Sequence, residues 1–170
     1  FPDSAFAPTA ADAAPTPSPA RTARVLIVDD EASVLQGLRQ TLEGDGYQVT
    51  CANSLRQTVH SMRREQFALV LTDLYLGEHD LGLTIAEVAR ERRPHTPVIV
   101  LTGRPSFDGA QEALRNHVAD MVVKPVETRQ LLATCRRVIQ DTELARRNAE
   151  LESINAVLSS VLPRTIEIKD

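Results

Sequence analysis

The sequence predicts an α/β domain, a doubly wound, five-stranded parallel sheet carrying a C-terminal helical extension. Three observations predict it. Five short apolar runs alternate along the chain with amphipathic stretches of helical period. The runs are apolar at successive positions, so both faces of each strand are covered, as in a parallel sheet between two helix layers. Each run but the second ends on a polar residue, at the sheet edge where such folds carry function.

The elements follow in order. Residues 1–23, rich in Ala, Pro, Ser and Thr, hold too little apolar surface to offset the entropy of ordering and read as a disordered tail or linker. Val25-Leu26-Ile27-Val28 is the first strand, closed by Asp29-Asp30-Glu31. Val34, Leu35, Leu38 and Leu42 then recur at helical spacing until Gly44 and Gly46 stop the pattern. Gln48 to Ala52 reads as a strand, and Ser54 as the cap of a helix bearing Leu55, Val59 and Met62. Ala68 to Thr72 is a third strand running into Asp73. A loop holding Gly77 and Gly82 leads to a helix with Ile85, Val88 and Ala89, closed before Pro94. Pro97 to Thr102 is the fourth strand, Phe107 to Asn116 a helix, and Asp120 to Val123 the fifth strand, running into Lys124-Pro125. From about Glu127 one helix is expected nearly to Leu162.

Bulk properties narrow the function classes. A length of 170 residues holds one domain with extra segments, and 42% hydrophobic with 25% charged residues suits a core under a water-compatible surface. No apolar run is long enough for a membrane span, and none near the start has the secretory form, so a cytoplasmic protein is expected. A first residue of Phe reads as a trimmed start. The net charge of -4 argues against direct nucleic-acid binding by this segment through bulk electrostatics. Cys51 and Cys135 lack metal spacing and read as buried small hydrophobes of a reducing compartment. His60, His79, His95 and His117 are scattered without ligand spacing.

The polar strand ends carry the chemistry. In the flavodoxin-like order 2-1-3-4-5, strands one, three, four and five are neighbours, so Asp29, Asp30, Asp73, Thr102 and Lys124 converge. A single polar strand end is commonplace; three carboxylates, a hydroxyl and an ammonium at matching ends are not. Carboxylates a few ångströms apart raise one another's pKa unless a cation intervenes. A hard divalent ion, Mg²⁺ or Mn²⁺, suits one or two carboxylates plus water and phosphate oxygens. Asp30 and Asp73 are the expected direct ligands, with Asp29 acting through water. Lys124 supplies a point charge for phosphoryl oxygens, Thr102 a hydroxyl, and Asp73 a nucleophile able to form an acyl phosphate. Apart from Lys169, Lys124 is the one lysine in a chain that otherwise uses arginine, which marks the position as needing a compact charge.

At these residues the chain resembles a receiver domain of two-component response regulators. The matching segments are VLIVDDE (Val25 to Glu31), LVLTDLYL (Leu69 to Leu76), VIVLTG (Val98 to Gly103) and MVVKP (Met121 to Pro125). The resemblance implies phosphorylation of Asp73 by a sensor histidine kinase or phosphotransfer protein. It further implies Mg²⁺ held by the Asp29–Asp30 pair with the Tyr75 backbone carbonyl, a switch role for Thr102, and a cis Lys124–Pro125 bond. Two departures stand out: the loop Leu74 to Gly82 lacks the family's usual proline and is one residue longer, and Met121 occupies a position that often holds Tyr or Phe.

Two rival readings follow from the same residues. A haloacid-dehalogenase-like phosphatase would share an Asp nucleophile, Mg²⁺, Thr and Lys, but it begins with a DxD motif, whereas here the acidic pair comes first and Leu74-Tyr75 follows Asp73. An unphosphorylated pseudo-receiver, a pure interaction module, is expected to have lost one of these groups. The domain is expected over 24–140 and a coiled-coil-like extension over 141–162, followed by a tail at 163–170. Leu144, Leu151 and Leu158 recur every seven residues, with Ile154 and Val161 three residues after the second and third, while Arg147 in the matching place weakens the first repeat. A homodimer through this helix is expected; the bland alternative is that its leucines fold back on their own domain.

Overall fold

The computed structural model describes residues 23–77 and 81–161. The expectations for the Ala/Pro-rich segment before Ala23, for His79, for part of the loop after Asp73 and for the tail after Leu162 lie outside the described residues. The chain runs β1 (Arg24–Val28), α1 (Ala32–Gly44), β2 (Gln48–Ala52), α2 (Leu55–Arg64), β3 (Leu69–Asp73), α3 (Leu81–Arg92), β4 (Val98–Thr102), α4 (Phe107–Arg115), β5 (Asp120–Val123) and α5 (Thr128–Val161). All strand pairs are parallel, in the order β2-β1-β3-β4-β5.

The successive apolar positions of the strands divide between two cores. Leu26, Val28, Val70, Val98 and Val100 face a layer formed by α2, α3 and Ala113 of α4. Val25, Ile27, Leu69, Leu71, Ile99 and Leu101 face α1 and α5, through Leu38, Leu42, Leu131, Cys135 and Val138. Helices thus cover both faces, which is why these strands carry no polar alternation.

Local chemistry sets the helix starts. Ser54 accepts a hydrogen bond from the Gln57 amide at 3.4 Å, and Ser106 accepts one from Gly109 at 3.0 Å, each satisfying an otherwise orphan donor of the first turn. Gly46, at φ 95°, makes the turn into β2. Among the described residues no helix is long and apolar enough to cross a membrane.

Two expectations need correction. Gly82 belongs to α3, not to the loop before it. Cys135 is buried, and its thiol is pushed up to about 12 by burial, but Cys51 is only half-buried and lies near Arg39 and Glu43. For the extension, where folding back on the domain was only the alternative, Leu144, Leu151 and Leu158 are 58%, 59% and 53% exposed on a helix that continues past the domain.

Candidate functional site

Parallel register brings the polar strand ends together. Val28 pairs with Thr72, Asp73 with Leu101, and Thr102 with Val123, so the residue after β1, the last residues of β3 and β4, and the residue after β5 lie along one edge. The Lys124 amide donates to the Thr102 carbonyl at 2.8 Å, extending the β4–β5 ladder by one step and fixing the lysine beside the hydroxyl. The Lys124–Pro125 bond is cis.

The side chains form a graded cluster. Asp29 is 1% exposed; its Oδ1 accepts from the Glu31 amide at 2.9 Å, and its Oδ2 accepts from Lys124 Nζ at 3.0 Å. Lys124 Nζ also lies 3.4 Å from Asp73 Oδ1. Asp30 is exposed, and its Oδ2 accepts from the Gly77 amide at 2.8 Å. Gly77 sits at φ 66°, a left-handed conformation that glycine adopts without a Cβ penalty and that turns its N–H toward Asp30. Carboxylate oxygens of Asp29, Asp30 and Asp73 all lie within 4.8 Å of one another, and no other such group occurs among the described residues.

Electrostatics sharpen the picture. Burial pushes the Asp73 carboxyl above the usual carboxylate range and Asp29 adds to the rise, while Lys124 and the Tyr75 backbone pull it down without cancelling it. Burial alone would lower the Lys124 ammonium, but hydrogen bonds and charge from Asp29 and Asp73 outweigh it and leave its pKa raised. One ammonium therefore undercompensates three carboxylates, and an all-oxygen donor set with this residual negative charge fits a hard divalent cation.

A cleft of about 500 Å³ opens over the cluster, lined by Asp73, Tyr75, Gly77, Gly103, Arg104 and Lys124. Thr102 is fully buried and does not line it; its Oγ1 accepts from the Arg104 amide at 3.1 Å. Arg104 and Gly77 were not singled out by sequence reasoning. The available signal was position alone, since both stand in loops at the carboxyl edge of the sheet.

Gly82 is a third unforeseen contributor. Its amide donates to the Leu74 carbonyl at 3.0 Å, and a Cβ there would collide with the Asp73 carbonyl oxygen and lie 2.7 Å from Leu74 Cα. The start of α3 therefore packs directly on the backbone that carries Asp73. Gly82→Ala should destabilise the fold by about 1–3 kcal/mol through overpacking, despite the higher helix propensity of Ala. Urea unfolding measures this, and an unchanged midpoint would mean that the backbone yields without cost.

Residues 25–136 match the family model of the response regulator receiver domain. The chain belongs to this family. The receiver is 38% identical over 132 residues to the alginate biosynthesis transcriptional regulatory protein AlgB of Pseudomonas syringae pv. tomato, a match covering 77% of this chain and 28% of that protein. It is 36% identical over 118 residues to the transcriptional regulatory protein ZraR of Escherichia coli K12, covering 69% and 26%. The chain thus spans less than a third of these relatives. Among solved structures, a CheY-like receiver domain protein from Methanospirillum hungatei superposes with a TM-score of 0.69 at 30% identity, over 73% of this chain and 98% of that one. The beryllofluoride-activated NtrC4 receiver domain dimer gives 0.66 at 29% identity, over 70% and 98%. The receiver is accordingly a regulatory domain of two-component signalling, and the phosphatase reading is set aside.

Proposed function

We propose that Asp73 is the phosphoacceptor of this receiver, charged by a sensor histidine kinase or a phosphotransfer protein. The observation that carries the reading is the clustering of three carboxylates and one ammonium at the carboxyl edge of the sheet, beside a cleft that Asp73 and Lys124 line. A carboxylate oxygen of Asp73 forms a bond to phosphorus while the bond to the donor imidazole breaks, and the imidazole retains the electron pair and takes up a proton. Lys124, already 3.4 Å from Asp73, neutralises a phosphoryl oxygen. Water later cleaves the acyl phosphate and restores the carboxylate, so the domain catalyses only its own charging and discharge.

Asp29, Asp30, Asp73 and the Tyr75 backbone carbonyl would hold Mg²⁺ or Mn²⁺, which supplies further neutralisation of phosphoryl oxygens when bound. Thr102 would read the phosphoryl group through its hydroxyl. Thr102 is fully buried and does not line the cleft, so reading the phosphoryl group requires a local rearrangement of the Gly103–Arg104 segment, the kind of two-state element on which a switch depends. The signal would leave through α5, whose exposed leucine stripe supports a homodimer, in a cytoplasmic protein.

The coordination scheme has a direct test. Asp30→Ala should weaken Mg²⁺ binding by roughly tenfold or more, because it removes a direct ligand. Lys124→Ala should leave metal affinity within about threefold yet slow phosphorylation by roughly a hundredfold, since its charge acts on the phosphoryl group. Isothermal titration with Mg²⁺ and labelling from acetyl phosphate separate the two. Unchanged metal affinity on loss of Asp30 would refute the ligand set.

A further inference from the structure

The end of the sheet remote from Asp73 carries a second concavity, of about 1020 Å³, between the base of the domain and the stretch of α5 that leaves it. Its walls come from the start of β1, the segments before β3 and β4, and α5 from Ile139 to Arg147. Although the chain as a whole carries a net charge of -4, the rim holds Arg24, Arg92, Arg93, Arg146 and Arg147 with His95, against the single carboxylate of Glu143. Glu143 is already committed to Arg146 and Arg147, each at 2.9 Å, and Arg24 is committed to Glu65 at 3.1 Å. Arg92 and Arg93 have no ion-pair partner among the described residues.

The floor is of a different character. Ala23, Phe67, Ala68, Ile139 and Leu144 line it, and Leu144 is 58% exposed. Phe67 is 6% exposed and offers no face on which a base could stack, which argues against a nucleotide or a nucleic-acid strand. An inorganic anion would satisfy the arginines and leave the apolar floor in water. A site of this size with an apolar floor and a cationic rim matches a ligand with both characters.

We propose that this groove binds a soluble amphipathic anion, an apolar chain or ring ending in a carboxylate, sulfonate or phosphate. The anionic end would lie on Arg92 and Arg93, before β4, and the apolar body against Ile139 and Leu144 of α5. Occupancy would then tie the departing helix to the base of the domain. The segment 92–96, which lines the groove, leads directly into β4 and so to Thr102 at its far end; the site therefore touches both the lead-in to the strand that carries the switch hydroxyl and the helix that carries the signal out.

The test uses the full chain with anilinonaphthalene sulfonate as probe and laurate, below its micellar concentration, as competitor. The expected result is a saturable fluorescence rise at one site per chain, displaced by laurate. Affinity should fall roughly tenfold or more in Arg92→Glu/Arg93→Glu and several-fold in the milder Arg92→Ala/Arg93→Ala, as expected for loss of two charge contacts. The exposed leucines of α5 are the competing apolar surface, so Leu151→Asp/Leu158→Asp should leave probe binding unchanged. Four results would overturn the proposal: no saturable binding, equal affinity in the alanine pair, loss of binding in the leucine pair, or binding to phosphatidylglycerol vesicles without binding to laurate.

Discussion

Asp73→Asn should take up no phosphoryl group from acetyl phosphate or from a phosphohistidine donor, a loss of at least about a thousandfold in rate, while folding as well as the parent. The amide preserves shape but is a poor nucleophile toward phosphorus. Stability should not suffer at neutral pH. A carboxyl whose pKa is raised on folding is less favourable as an anion in the folded than in the unfolded chain, and this cost is present above the folded pKa. Burial and Asp29 raise the Asp73 carboxyl in this way, so a neutral amide removes a penalty together with the nucleophile. Labelling with radioactive donor and a urea titration read the two effects separately. Phosphorylation of the variant at the parental rate would move the acceptor elsewhere.

The second large effect concerns assembly. Leu151→Asp/Leu158→Asp should convert a dimer of micromolar affinity into a monomer, weakening association by roughly a hundredfold or more. The stripe Leu151, Ile154, Leu158 and Val161 is 53–71% exposed, and Val157 beside it is 58% exposed. Full burial of a leucine contributes on the order of 1.5–3 kcal/mol, and pairing these helices would recover about half of that per residue, since they are already half-covered. Summed over two chains this exceeds only the lower part of an association cost of roughly 4–15 kcal/mol, and the small surplus limits the dimer to modest affinity. Arg147 sits in the seam, but Glu143 neutralises it at 2.9 Å within the same helix, so its presence weakens the dimer without forbidding it. Sedimentation velocity of parent and variant decides the matter. A parent that stays monomeric at high micromolar concentration, with and without a phosphoryl mimic, would contradict the reading.

Much of the fold was legible because burial on both faces leaves a strong trace. Residues such as Val70, Leu71, Ile99 and Val100 are apolar in succession only because a helix layer lies on each side of the sheet. The site was legible for the complementary reason: Asp29, Asp73, Thr102 and Lys124 interrupt or follow those runs where the strands end. What stayed hidden depends on contacts between segments distant in sequence. Gly82 looks like a loop residue until the close approach of α3 to the Asp73–Leu74 backbone is seen. The bond from the Gly77 amide to Asp30 spans the chain from the third strand's loop back to the first, and no local pattern announces it. Arg104 is one arginine among many in the sequence, and only the fold turns it toward the cleft. The basic groove is likewise scattered over Arg24, the Arg92–His95 segment and α5, so its charge is invisible to any window along the chain.

The central claim, that Asp73 carries the phosphoryl group, is tested most directly by trapping it. The protein, with Mg²⁺ present, is charged from acetyl phosphate and reduced at once with borohydride, which converts an aspartyl phosphate to homoserine, and the product is mapped by peptide mass spectrometry. The account predicts homoserine at position 73 and at no other, with none formed in Asp73→Asn. Homoserine at Asp29 or Asp30, or a parent that yields none after saturating exposure to donor, would contradict it, and the latter would make the domain an unphosphorylated interaction module.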